Sequence, residues 1–333
     1  MDIDAYITAH RGEWDRLEQL LRRRSRLSGD EVDELVDLYQ RTATHLSTVQ
    51  SSSPDAALIG RLTTLVARGR NAVTGARSSP SRDIARFVLV SFPAAVYRAR
   101  WWWISVAAAS IAVALVIGVW VATTPAVQAS IASPEEIRQL VTVDFEKYYS
   151  SDPAGSFAAK VWTNNAWIAA QCLVLGGLLG LPVIYVMWQN ALNVGVSGGL
   201  MAANGRLDLF FGLILPHGLL ELTAVFVAAG AGLRLGWTVI DPGQRPRGVA
   251  LAQEGRSTIT VAIGLFFVLL VSGVIEAFVT PSGWPTAVRI GIGCLALIGF
   301  LAYVWVFGRR AERLGLDADV ADDAITDVAP MSA

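Results

Sequence analysis

Five mostly apolar runs of about twenty residues, none with more than one charged side chain, constrain this 333-residue chain most, at roughly 103–123, 165–187, 209–233, 258–280 and 286–307. Each is long enough to cross a hydrocarbon layer ~30 Å thick as a helix, the conformation that satisfies every backbone N–H and C=O within one segment. The expected fold class is therefore all-α, a polytopic transmembrane helical bundle. Composition agrees: the chain is 53% hydrophobic with a mean hydropathy of +0.46. A net charge of −1 offers no electrostatic footprint for nucleic acid, so no such partner is expected.

Charge is concentrated at the front, where residues 1–100 hold 15 arginines and 12 carboxylates. Residues 1–80 are expected to form a soluble helical bundle. Trp14, Leu17, Leu20 and Leu21 fall at helical spacing. Ser28 and Glu31 form a capping box ahead of Val32, Leu35, Val36 and Tyr39. Ser53 and Pro54 would open a third helix through Leu58, Leu62, Leu65 and Val66. Such a domain is equally a docking module or a solvated stability element. Residues 81–100 then carry Ile84, Phe87, Val88, Ser91, Ala95 and Val96 on one side and Arg82, Arg86, Arg98 and Arg100 on the flank. That pattern predicts an amphipathic elbow helix lying in the lipid interface, bent near Pro93, with Trp101, Trp102 and Trp103 as aromatic anchors.

The basic segment before Trp101 places the N-terminus in the cytoplasm by the positive-inside rule. Residues 124–162 then lie outside. There "SPEE" at 133–136 is a second capping box, opening a helix with Ile137, Leu140, Val141 and Phe145 exposed as a candidate docking stripe. Five simple crossings would put Arg234, Arg245, Arg247, Arg256, Arg309, Arg310 and Arg313 outside as well, against the rule. Six passes, or five with one broken or re-entrant segment between 188 and 233, bring both ends to the cytoplasmic side. The transmembrane domain is expected over 101–307, followed by an acidic, disordered tail over 308–333.

Polar side chains inside such a domain are the best pointers to function. The candidates are Asn164, Asn165, Asn190, Asn193, His217, Glu221 and Glu276. His217 and Glu221 sit at i and i+4 on one helical face, within "LPHGLLE", where Pro216 and Gly218 suggest a helix break. Three readings compete for them: a structural brace, a mid-membrane transport site, or a metal-dependent catalytic centre. The last is weakly motivated, because the chain has only His10, His45 and His217. A zinc site would have to recruit Cys172, Cys294 or Glu276 from other helices. Neither a nucleotide-binding loop nor a Ser-His-Asp set is present. The residues themselves thus call for no metal, cofactor or catalytic assignment. The glycine runs "GGLLG" and "GVSGG" read as helix-packing surfaces.

Several stretches taken together resemble the stage II sporulation protein M family of bacterial and archaeal membrane proteins, over roughly residues 5–307. "HRGEWDRLEQLL" (Arg11, Trp14, Leu17, Glu18) and "LYQRTATHL" resemble the family's front end, with His45 where its pattern has an aspartate. "WTNNAWIAA" and "GGLLGLP" resemble its paired-asparagine span. "LPHGLLELTAVFVAAGAGLRLG" resembles its Pro-His-Gly-x-x-Glu block, and "IEAFVTPS", with Glu276 and Pro281, a later Glu–Pro block. The resemblance carries Asn164, Asn165, Pro216, His217, Gly218, Glu221 and Glu276 across, without assigning them a chemistry. It implies a non-enzymatic membrane scaffold, a homo-oligomer with a dimer favoured. Such a scaffold sits in the plasma membrane among its lipids and gathers cell-wall enzymes for envelope or peptidoglycan remodelling. A transporter, channel or lipid-handling protein is the alternative, and a membrane-embedded metal-dependent hydrolase the second. Twenty-five arginines against two lysines fit a bacterium with a GC-rich genome.

Overall fold

The structure, a computed structural model, describes residues 3–23, 27–52, 56–73, 80–148 and 154–316, in which all regular structure is helical. The chain divides into two compact units, Met1–Asp83 and Ile84–Ala333.

In the first unit, α1 (Ile3–Arg22), α2 (Gly29–Ser52) and α3 (Ala56–Val73) pack as a three-helix bundle. Its core holds Trp14, Leu17, Leu20 and Leu21 of α1 with Leu35, Leu38 and Val49 of α2 and Leu58, Leu62 and Leu65 of α3. The stripe on α2 is rotated from the expected one. Val32 is 46% exposed, because the buried positions recur through Leu35, Leu38, Thr42 and Val49 instead. The predicted capping box forms: Glu31 N–H donates to Ser28 Oγ (3.3 Å) and Ser28 N–H to the Glu31 carboxylate (2.9 Å). Arg16 grips Glu34 through both carboxylate oxygens, tying α1 to α2. The proposed Ser53–Pro54 cap lies outside the described residues.

Helix α4 (Pro80–Arg86) straddles the boundary, and the second unit continues with a π-turn over Phe87–Ser91 and α5 (Phe92–Arg98). Within the segment expected as an interfacial elbow over 81–100, Phe92 to Tyr97 are buried in the bundle, while Ile84, Val88 and Leu89 stay exposed. Glycines make room for the buried stretch. A Cβ on Gly264 would fall within 2.0 Å of the Phe92 ring, and one on Gly308 within 2.5 Å of the Pro93 carbonyl. Trp103 is buried too, its indole donating to the Val96 carbonyl at 3.2 Å, whereas Trp101 stays 69% exposed.

Six long helices follow: α6 (Arg100–Thr123), α10 (Ala154–Leu175), α11 (Leu181–Ala203), α12 (Leu207–Ile240), α13 (Arg247–Phe278) and α14 (Thr286–Tyr303). Short helices α7 (Pro125–Ile131), α8 (Pro134–Gln139) and α9 (Phe145–Tyr148) lie between α6 and α10, and α15 (Arg309–Arg313) continues α14 through a π-turn. Among the described residues, four helices are long and apolar enough to cross a membrane: α6, α12, α13 and the Thr286–Arg313 helix. The single span expected at 165–187 is two helix ends. The chain turns at 176–180, where Leu179 (φ 58°) and Gly180 (φ 74°) adopt left-handed backbone. The short segment at 189–205 belongs to the continuous α11.

Contacts fix the helix directions. Gly195 lies against Ala114 and Ile117, and Gly199 against Gly118 and Val121, so α6 and α11 run parallel. Gly176 meets Gly232 while Asn165 meets Glu221, so α10 and α12 run parallel, and Gly212–Thr286 with Pro216–Gly293 aligns α14 with them. Arg234–Glu254 and His217–Glu276 make α12 and α13 antiparallel. Directions alternate along the chain, which gathers Arg100, Arg245, Arg247 and Arg309–Arg313 at one end. Beyond residue 307 the chain remains helical through Arg313, within the stretch expected to be disordered; residues 317–333 lie outside the described set.

The 124–162 segment is also less free than its stripe suggested. The Ser133–Glu136 capping box forms, but Ile137 and Val141 bury against Ile117, Val121, Met201 and Phe210, and Phe145 stacks on Phe210 at 5.7 Å. Leu140 alone of the four is exposed, at 38%. An apolar stripe beside a bundle end finds its partner within the same chain.

Backbone-on-backbone contact at glycine carries the bundle, since lipid tails supply no hydrophobic drive between helices. A Cβ on Gly176 would lie 2.4 Å from the Gly232 carbonyl, whereas one on Gly299 would meet nothing within 4 Å. Gly176→Leu is expected to abolish monodisperse, folded protein in detergent, and Gly299→Leu to leave the yield near wild type. Size-exclusion profiles of the two variants check this.

Candidate functional site

The polar residues of the bundle meet where α10, α12 and α13 come together. Helix α12 runs unbroken through Pro216 and Gly218, so the expected helix break is absent. Proline removes one N–H and crowds the preceding turn, a cost that tertiary packing can absorb inside a bundle. Gly293 of α14 provides that packing: a Cβ there would sit 2.5 Å from the Pro216 carbonyl and 2.7 Å from that of Leu215.

His217 and Glu221, one turn apart, project from α12 toward Glu276 of α13. One ligand atom from each of the three falls within 4.8 Å of the others. All are sealed in, with exposures of 5%, 8% and 1%. His217 Nδ1 bonds Thr280 Oγ1 at 3.2 Å, and its Nε2 faces Glu276 Oε1 at 3.6 Å. A carboxylate from the neighbouring helix thus joins Glu221 beside the imidazole. Ser272 Oγ donates to the His217 carbonyl (3.0 Å) and reaches Glu221 Oε2 at 3.4 Å. Asn165 of α10 comes close to the Glu221 carboxylate, and its amide donates to the Val161 carbonyl at 3.1 Å. Glu276 Oε2 is buried with no hydrogen-bond partner among the described residues. One helical turn beyond, Arg289 donates to the Thr280 carbonyl at 2.6 Å.

The structure therefore assembles His217, Glu221, Glu276 and Asn165. The other asparagines stand apart: Asn164 and Asn193 are exposed, and Asn190 is half-buried on α11. Ser272 and Thr280 were missed. With Glu276 they form an i, i+4, i+8 series, the same periodicity that singled out His217 and Glu221.

A second set of metal-capable residues, His10, Glu13 and His45, lies in the first unit. There the Trp14 indole donates to His45 Nδ1 at 3.2 Å. An indole N–H only donates, so the proton of neutral His45 sits on Nε2 and no lone pair is left for a cation. His10 and His45 lie with ring centroids 4.1 Å apart and tilted by 38°, and the set reads as half-buried aromatic packing. Burial first, then His10, hold the His45 imidazolium below its ordinary 6.5.

Among the described residues, two apolar grooves lie on the bundle surface. One, of about 360 Å³, lies along α6 and α11 at Trp102, Met187, Trp188 and Leu233; the other, of about 340 Å³, at Ile111, Gly118, Gly198 and Phe211. Neither is lined by His217, Glu221 or Glu276.

Known proteins bear on this arrangement. The family model described as stage II sporulation protein M matches residues 107–281, more than half of the chain and the whole of the polar cluster. The chain belongs to the stage II sporulation protein M family. Residues 4–75, which carry the Trp14 and Tyr39 motifs, match a separate model described as a domain of unknown function, DUF8413. An uncharacterized protein of Methanocaldococcus jannaschii, MJ0793, is 28% identical over 127 residues, which is 36% of this chain and 69% of that one. No solved structure matches the chain.

Two outcomes follow. Replacing Ser272 with alanine removes the one buried hydroxyl that the His217 carbonyl and the Glu221 carboxylate share; a loss of about 1 kcal/mol is expected, read as a lower thermal midpoint in detergent. In the first unit, a folded pKa below the unfolded one means that stability is present above about pH 6.5 and is lost as pH falls through the folded value. Amide exchange in α1 and α2, corrected for intrinsic rates, should therefore accelerate from pH 7 to pH 5 in the intact chain, and His45→Gln should flatten the dependence.

Proposed function

We propose that the chain is a non-enzymatic membrane scaffold of the stage II sporulation protein M family, with all six long helices crossing the plasma membrane and both ends cytoplasmic. In this reading it couples a cytoplasmic partner, held by the N-terminal bundle, to envelope or peptidoglycan remodelling on the far side. One observation carries it: the intramembrane polar cluster is sealed between helices and contacts neither groove. A transport site needs an aqueous approach, and a hydrolase needs water and substrate beside the reacting groups. Helices α10, α12 and α13 close over His217, Glu221 and Glu276 instead, which suits a brace. The clustering of arginines at one end supports the six-pass arrangement.

Site-specific photo-crosslinking in native membranes tests the proposal, with probes on exposed positions of the first unit such as Gly60 and on the short helices at Val143. Specific adducts with wall-cleaving or envelope-assembly proteins are expected. A chain that yields no specific adduct from either side, while proteoliposomes carrying it move or cleave a substrate, would overturn the scaffold reading.

A further inference from the structure

The geometry points to a divalent-cation site at His217, Glu221 and Glu276, a structural clamp of the zinc class between α12 and α13. Three observations lead there. First, His217 Nε2 and Glu276 Oε1 are 3.6 Å apart. That is beyond an N–H···O hydrogen bond, yet close to the ~3.4 Å between neighbouring ligands of a tetrahedral ion bonded at about 2.0–2.1 Å. Second, Glu276 is 1% exposed and its Oε2 has no hydrogen-bond partner among the described residues. A buried oxygen in that position is short of a proton donor or a cation. Third, the donor set matches a divalent ion in charge: with such an ion bound, two ionised carboxylates and a neutral imidazole would sum to −2, which the ion would cancel within a dry interior.

The surrounding contacts suit the imidazole for ligation. Thr280 Oγ1 can accept from Nδ1–H, leaving the Nε2 lone pair turned toward the carboxylates. Ser272 orients Glu221 by a hydrogen bond, the supporting role that outer partners play around bound metals. One imidazole and two carboxylates suit zinc or manganese better than thiolate-seeking ions. Cys172, a ligand candidate by sequence, is buried on α10 with its carbonyl against Gly232 and has no place in the set.

Elemental analysis of the full chain, purified in detergent through a histidine-free tag and without chelator, tests this inference. About one divalent ion per chain is expected, with Glu276→Gln and His217→Gln each lowering the bound metal by roughly tenfold or more. His10→Ala with His45→Ala should leave it unchanged. Should the cluster variants fail to fold, cobalt exchanged into the wild-type chain gives the reading. Visible ligand-field absorption of a four- or five-coordinate site supports the clamp, and its absence overturns it. Wild-type protein that stays metal-free after incubation with zinc and manganese, its carboxylates neutralised by protons alone, also overturns it. So does Glu276→Gln protein with wild-type metal content.

Discussion

An imidazole facing a carboxylate across the α12–α13 seam, with a second carboxylate one turn away, sets the terms for the rest of the bundle. Ionisable groups are tolerated at that depth only when neighbouring groups neutralise and hydrogen-bond them. The register of α13 on α12 is therefore not free. Sliding by one residue would turn Glu276 and Ser272 away from His217 and leave both sides unsatisfied. Asn165 extends the same demand to α10, and Arg289 links the turn at Thr280 to α14. A few polar contacts thereby order four helices.

What presses the helices together is different in the two units. The N-terminal bundle buries Trp14 and its leucines away from water, and its helices are held by an apolar core. The second unit relies on absent side chains. Gly176, Gly195, Gly199, Gly230 and Gly293 each stand where a Cβ would collide with the backbone of a neighbouring helix. Close backbone approach compensates in lipid for the missing hydrophobic drive. It also lets α12 keep its helix through Pro216, because α14 lies against that turn without an intervening side chain.

Much of this was legible in the chain itself. Helical periodicity marked Trp14, Leu17 and Leu20 as core, and both capping boxes formed at the serine–glutamate pairs that announced them. Four of the long apolar helices coincide with apolar runs. The errors have a common source: local pattern says how apolar a face is, and not what lies opposite. The elbow at Phe92–Tyr97 read as amphipathic but is enclosed, because Gly264 and Gly308 on distant helices open a slot for it. Ile137 and Val141 read as an exposed stripe and are covered by the end of their own bundle. The turn at 176–180 was hidden in an apolar run, since its only local signal was three glycines that also suited packing. Spacing brought His217 and Glu221 together, and the structure adds Glu276 opposite the imidazole; Ser272 and Thr280 shared its face unnoticed.

The central claim is that this cluster is closed to water and braces the bundle. Its most direct measurement uses Ser272→Cys in a chain whose Cys172 and Cys294 are replaced by alanine, reconstituted in vesicles and treated from both sides with a membrane-impermeant thiol reagent. Gly283→Cys, in the exposed turn after Thr280, serves as the reference. The account predicts that position 283 labels readily and position 272 stays unlabelled until the protein is denatured. Labelling at 272 at a rate comparable with that at 283 would reveal an aqueous path to His217 and Glu221 and contradict it.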